Sequence, residues 1–482
     1  MPHFPPIFWV KVGIISASMI KIMEINNKGG SNFASLLILG LILFSGLSGC
    51  QNHSQLINPT RNNSAQDSTR QVIDRSEPPS NDAMKIQAGS TQTFDHLDFA
   101  LTDKRGASLN YNGVSVTELA SLLSQYASTE AEKARIIYSW ISYHIDYDVP
   151  AYLSGQYGDV TPEGVLRSRK GVCSGYANLY KALANAMGLD AVIISGYAKG
   201  ASYIIGKATE INHAWNGVKI DQQWYLVDAT WGAGTVNNNQ FQRNFKPFYF
   251  ATAPDQFIYD HFPEQEKWQL LSQPYSKQQF DNTPEVSPAF FRQRLRFISH
   301  NTHTIQVNDT VEVVLGAPQD TIATSRLKQG SQPLDKSSTF VQQQDGKIIV
   351  RATFPAPGSY ELEIFAKPRQ QQGSYPEAVT YKVIAKGGGK EFPLTYNTFN
   401  EKNVQLQVPL IKYLPKNQSV RFQLKVPHAL EVQVIDQSSN GWTPLTASGN
   451  LFTGNVLVGS GKVHVVAQFP GDEKYWTLVE YN

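Results

Sequence analysis

The 482-residue sequence predicts an α+β fold: a mixed core over residues 92–275, then two all-β modules over 280–386 and 390–482. Three observations carry this. The length accommodates about three domains of ~150 residues, and 41% hydrophobic with 17% charged residues is ordinary globular composition. Apolar residues recur at helical spacing only before about residue 280. Beyond it, short alternating segments separated by turn residues take over.

At the N-terminus, Lys21 and Lys28 precede an apolar run from Phe33 to Leu47, closed by Leu47-Ser48-Gly49-Cys50. The run is short of the ~20 residues of a membrane span but suits the apolar region of a signal peptide. Its ending resembles the lipobox of bacterial lipoproteins. That makes residues 1–49 a signal peptide and Cys50 the lipidation site, with an uncleaved anchor or a plain secretion signal as the alternative. Either way the protein is expected to be exported. A later start at Met19 or Met23 would give a more conventional signal. Gln51-Asn52, directly after Cys50, contains no aspartate, which points to the outer membrane or its periplasmic face. Residues 50–91, rich in Asn, Ser, Gln, Asp and Pro, read as a disordered tether.

In the core, Thr129-Glu130-Ala131-Glu132 has the form of a capping box, and Ala134, Ile137, Tyr138 and Ile141 follow on one helix face. A second helix is predicted over 174–187, with Tyr176, Leu179, Tyr180, Leu183 and Met187 on one side and Gly188 as its stop. Strands are expected over 191–197, 214–220 and 224–228. In the β region, 311–315, 347–353, 378–384, 404–408, 420–426, 431–435 and 463–469 read as strands. Pro357-Gly358-Ser359-Tyr360 has the pattern of a tyrosine corner in an immunoglobulin-like sandwich. Gly387-Gly388-Gly389 marks the boundary between the modules.

Charge excludes one class of function. Of 42 basic and 40 acidic residues, the leader holds Lys11, Lys21, Lys28 and Glu24, leaving 39 of each. A balanced surface gives no electrostatic case for nucleic acid. Cysteine usage is more pointed: with Cys50 acylated, Cys173 has no intramolecular partner. It stands in Gly171-Val172-Cys173-Ser174-Gly175-Tyr176, at the start of the second helix, where unpaired N–H groups and the helix dipole favour a thiolate.

A cysteine nucleophile needs a base and a group that fixes the base's tautomer. His213 opens His213-Ala214-Trp215-Asn216 and Asp228 closes Trp224-Tyr225-Leu226-Val227-Asp228, with Asp221-Gln222-Gln223 as turn chemistry between. A turn centred between Ile220 and Asp221 sets His213 and Asp228 opposite each other across a hairpin. Opposed side chains there stand ~5 Å apart at Cβ. The Cys173 N–H is expected to supply half of an oxyanion hole.

These motifs together, with Gly188-Leu189, Gly196-Tyr197 and Asp228-Ala229-Thr230-Trp231-Gly232, resemble the transglutaminase-like core. The resemblance implies a papain-like fold and assigns the triad to Cys173, His213 and Asp228. Phe248-Tyr249-Phe250, Pro254, Phe257-Ile258, His261-Phe262-Pro263 and Gln269-Leu270-Leu271 resemble the kyphoscoliosis-peptidase branch, described as proteases or as cytoskeletal and cell-wall-associated proteins. The expected function is cleavage or transfer at amide bonds of a peptide or cell-envelope polymer through a thioester. Hydrolysis is preferred because no feature identifies an amine-acceptor site. The alternative is a non-catalytic envelope scaffold that binds peptide with the same cleft and the β modules. No cofactor or metal is expected: His300-Asn301-Thr302-His303 has no carboxylate or thiolate beside it in sequence. His144 and His261, set among apolar residues, read as structural, and Trp215, Trp224 and Trp231 as core rather than cleft.

Overall fold

A computed structural model describes Phe94 and residues 97–482, apart from 201–202, 206 and 208–209. The expected signal peptide, Cys50 and the tether lie outside the described residues. Among the described residues, no helix is long and apolar enough to cross a membrane.

The chain is α+β, and its apolar residues gather into three cores. The helices of the first include α1 (Ala100–Ser108), α2 (Val116–Ser124), α3 (Glu130–His144), α4 (Val149–Ser154), α5 (Pro162–Ser168), α6 (Cys173–Ala186) and α7 (Ala229–Ala233). Its strands are β1 (Asp146–Tyr147), β2 (Lys170–Gly171), β3 (Ala191–Ala198), β4 (His213–Ile220), β5 (Gln223–Val227), β6 (Gly234–Asn237), β7 (Gln240–Arg243), β8 (Phe250–Thr252) and β9 (His261–Pro263). Five of them form one sheet in the order β8-β5-β4-β3-β9, all pairs antiparallel.

Helix α3 starts with the capping box read from sequence. The Thr129 hydroxyl accepts from Glu132 N, and the Glu132 carboxylate accepts from Thr129 N. Helix α6 begins at Cys173, and Tyr176, Leu179, Tyr180 and Leu183 bury its inner face with Ile194, Trp215 and Val218 of the sheet in the same core. Polar tips buried with this face find backbone partners. Tyr176 Oη donates to Ile145 O (2.6 Å) and Tyr180 Oη to Ala134 O (3.2 Å), fastening α6 to α3 and its C-cap.

The β4–β5 hairpin differs from the expected register by two residues. Ile220 pairs with Gln223 and Asn216 with Val227, so the turn is Asp221-Gln222, both with positive φ (48° and 66°). That is the turn conformation whose twist matches two paired strands. Asp228 is consequently not opposite His213. It lies past the end of β5 and caps α7.

The β region holds two stacked pairs of sheets. In the first, strands Glu377–Ala385, Gly358–Pro368 and Thr321–Gln329 face Thr310–Gly316, Lys347–Thr353 and Thr339–Gln344 across one core. In the second, Tyr475–Tyr481, Val463–Gln468 and Glu431–Asp436 face Gln418–Lys425 and Leu451–Val458. Tyr360 Oη donates to Ala356 O (2.7 Å), the bond a tyrosine corner requires. Helical turns do occur here, against expectation: Pro288–Arg292 and Asn397–Glu401, five residues each. Phe399 of the latter is fully buried, so one anchoring ring rather than periodicity accounts for that turn.

Candidate active site

Helix α6 presents Cys173 as its first residue, and the thiol is partly exposed rather than sealed in the core. The N-cap residue, Val172, supplies no side-chain acceptor, so the first-turn N–H groups remain available to another acceptor. The height of α6 over the sheet is set by Asn216. Its Nδ2, fully buried, donates to Ala177 O (3.0 Å) on α6 and to Val192 O (3.1 Å) on β3. Gly175 brings α6 close to α5, since a Cβ there would stand 2.9 Å from Val165 Cγ2.

His213 opens β4 opposite Gly196 of β3, and Asn212 just before it braces the strand end. Asn212 Oδ1 accepts from Ala198 N (2.8 Å) and Nδ2 donates to Ala198 O (3.0 Å). The His213 ring is 8% exposed, and its Nε2 lies 2.8 Å from Asp228 Oδ2. With Nε2 engaged, Nδ1 is the nitrogen left for the neighbouring Cys173 thiol, which adds to the ring's preference for charge. Burial opposes a charged imidazole here. The Asp228 charge and hydrogen bond, with the Cys173 contacts, outweigh it and push His213 up to about 10.

Asp228 is completely buried yet stays ionised. Burial favours its acid form, but His213 and then His261 hold it well below the usual carboxylate range. Its four acceptor positions are all used. Oδ1 accepts from Thr230 N (2.8 Å) and Trp231 N (3.0 Å) at the start of α7, and Oδ2 from His213 and His261.

His261 is the residue that sequence reasoning set aside. It opens β9, on the opposite side of β3 from His213: Gly196 pairs with both His213 and Pro263, and His261 lies two residues before Pro263 on the same face. Gly196 leaves this row without a side chain, and a Cβ there would stand 2.3 Å from Phe262 O and 2.6 Å from Trp215 Cη2. The His261 ring, 1% exposed, bonds Asp228 Oδ2 through Nε2 (2.9 Å) and Asp260 Oδ1 through Nδ1 (2.6 Å). Asp260 Oδ2 in turn accepts from Tyr249 Oη (3.2 Å). The only sequence signal was the Asp260-His261 dipeptide, an acid–imidazole pair that apolar neighbours do not satisfy.

The ligating atoms of His213, Asp228 and His261 lie within 4.8 Å of one another. Both imidazole nitrogens are directed at one carboxylate oxygen, so an ion would have to displace both hydrogen bonds. His144 bonds Gly106 O (3.0 Å) and stacks on Trp140. The fold brings a carboxylate to His303 after all, Glu285 at 3.4 Å.

A cleft of about 470 Å³ opens beside His213. Tyr147, Tyr152, Leu153, Trp231 and Phe241 give it apolar walls, and Lys246 is the one lysine among its lining residues. Trp231 is therefore a wall of the cleft. Trp215 is buried core, as expected, and Trp224 packs edge-on against Trp268. Tyr147 keeps its proton through burial and then through the neighbouring Cys173.

Residues 117–229 match the family model of the transglutaminase-like superfamily, and residues 277–395 that of the KY-like, immunoglobulin-like domain. The chain is 34% identical to kyphoscoliosis peptidase of Mus musculus over 278 residues, 56% of this chain and 41% of that protein. Identity to kyphoscoliosis peptidase of Homo sapiens is 32% over 290 residues, 59% of this chain and 42% of that protein. Hillarin of Drosophila melanogaster is 29% identical over 307 residues, 56% of this chain and 37% of its own length. The chain thus spans roughly two fifths of the length of these relatives. It contains a transglutaminase-like core followed by immunoglobulin-like β domains.

Proposed function

We propose that Cys173, His213 and Asp228 form a cysteine triad that cleaves or transfers amide bonds of a peptide or cell-envelope polymer. The observation that carries this reading is the His213 ring, bonded through Nε2 to a buried carboxylate and neighbouring the Cys173 thiol at the start of a helix. In the proposed reaction the Cys173 thiolate attacks the amide carbonyl, and the oxygen takes the charge against the Cys173 N–H. His213 then gives its proton to the nitrogen as the C–N bond breaks, leaving a thioester and a free amine. Water, losing a proton to His213, attacks the thioester and releases the acid and the thiol. An amine in place of water would give transfer, but nothing in the cleft marks an amine site, so hydrolysis is the favoured outcome. The apolar walls of the cleft suit a segment with a large apolar side chain next to the scissile bond. From the leader sequence we further propose export and attachment of Cys50 to lipid.

The test is the rate at which iodoacetamide modifies Cys173 in the full chain at pH 7, followed by peptide mass spectrometry so that Cys50 is scored separately. An unassisted thiol is only a few per cent thiolate at neutral pH, so His213→Ala is expected to slow modification about tenfold. A rate unchanged by His213→Ala would end the catalytic reading and favour the scaffold alternative.

A further inference from the structure

We propose that His261 and Asp260 are positioning residues of this site, extending the triad into a chain Cys173–His213–Asp228–His261–Asp260 that ends on Tyr249. The inference rests on the catalytic reading of the triad and adds two residues to it.

The argument starts from proton counting. A carboxylate oxygen only accepts, so an imidazole nitrogen bonded to one must carry a hydrogen. Both nitrogens of His261 meet carboxylate oxygens, Asp228 Oδ2 at 2.9 Å and Asp260 Oδ1 at 2.6 Å. Two carboxylate partners thus favour the imidazolium form of His261, with a hydrogen on each nitrogen. Its side chain is 0% exposed, and Phe257 stacks on it at 4.1 Å while Trp231 and Trp215 close in at 4.6 and 5.1 Å. It is shielded from bulk solvent and hemmed in by these rings.

The consequence falls on Asp228. A fully buried carboxylate whose sole charged partner was His213 would take a proton more easily, even with Thr230 N and Trp231 N on its other oxygen. A second, permanent donor of opposite charge on the same Oδ2 keeps Asp228 ionised and stops it rotating away while His213 gains and loses its proton. Asp260 does the same for His261 one step further out, with its second oxygen tied to Tyr249. The charged and titratable groups around His261 are Asp228 at the start of α7, Asp260 beside it, His213 on β4 (ring centroids 5.4 Å) and Tyr249 (6.0 Å). Lys246 acts on both carboxylates from the cleft side.

The experiment is the pH profile of Cys173 modification by iodoacetamide in the full chain, for His261→Gln, Asp260→Asn and His213→Ala, with thermal unfolding measured alongside. Removing the positive charge beside Asp228 lets it take a proton at higher pH, which breaks its hold on His213. The acid limb of the profile is expected to move up by about one pH unit in both His261→Gln and Asp260→Asn. Asp260 touches neither Cys173 nor His213 and its amide is isosteric, so it decides the matter if His261→Gln does not fold. If both variants keep the unsubstituted profile and change only the melting temperature, His261 and Asp260 are structural and the proposal fails. Modification that depends on His213 but not on these two overturns this inference alone. Modification indifferent to His213 overturns the triad with it.

Discussion

Replacing Asp228 by asparagine tests the charge logic of the site with almost no change in shape. One side of the new amide can keep accepting from Thr230 N and Trp231 N, as Oδ1 does now (2.8 and 3.0 Å). The other side then becomes an NH2 facing two ring N–H groups, His213 and His261, where a donor meets donors. His213 has to give up its Nε2 proton, which leaves it neutral with its one hydrogen on Nδ1, where it can neither take the Cys173 proton nor offer the sulfur a cation. The magnitude follows from the imidazole's preference for charge. His213 moves from its ordinary 6.5 to about 10 in the fold, on the order of 5 kcal/mol at 1.36 kcal/mol per unit, a net of burial against Asp228 first and Cys173 second.

The sign of the pH dependence is fixed by the direction of each shift. Because the folded value of His213 lies above the unfolded one, its stabilisation is whole below pH ~6.5 and is lost as pH rises through about 10. Asp228 is depressed, so the same interaction is present above pH ~4 and lost as pH falls through its low folded value. Urea unfolding of the two proteins at pH 6 and at pH 10.5 measures the difference. Asp228→Asn is expected to cost several kcal/mol more at pH 6 than at pH 10.5, and to slow Cys173 modification as His213→Ala does. An equal cost at both pH values, with unchanged modification, would refute the ion pair.

Two further outcomes follow from packing. Gly196→Ala places a Cβ 2.3 Å from Phe262 O and 2.8 Å from Pro263 Cα, both main-chain atoms that cannot swing aside. It is expected to destabilise by at least 1–3 kcal/mol and to pull β9 off β3, read as a lower urea midpoint with faster amide exchange at Phe262. Tyr360→Phe keeps the ring against Phe354 (5.0 Å) but strips the 2.7 Å bond to Ala356 O. A loss of about 1 kcal/mol is expected, and an unchanged urea midpoint would show that the corner contributes nothing.

The parts of this fold that are local were legible in the sequence. The capping box at Thr129, the start of α6 within one residue and the tyrosine corner all depend on neighbours within about four positions. The hairpin was misjudged by two residues because Asp221 and Gln222 are not glycine or asparagine, the residues that usually announce positive φ. A two-residue shift keeps side chains on the same face, so His213 and Asp228 still meet, diagonally and through the α7 cap. His261 was out of reach for a different reason. Its partner Asp228 is 33 residues away, and the pairing of β9 with β3 that joins them leaves no periodic trace in a three-residue strand.

Asn216 bonds α6 one helical turn beyond the thiol and is not part of the cleft lining, yet it works as an index pin between two sliding parts. Apolar packing alone tolerates small slippage of a helix along a sheet; a bifurcated amide holding Ala177 O and Val192 O does not. The spacing of Cys173 and His213 is thus machined from behind, by a group outside the cleft lining. Without this pin, only apolar packing would hold Cys173 at its height over His213.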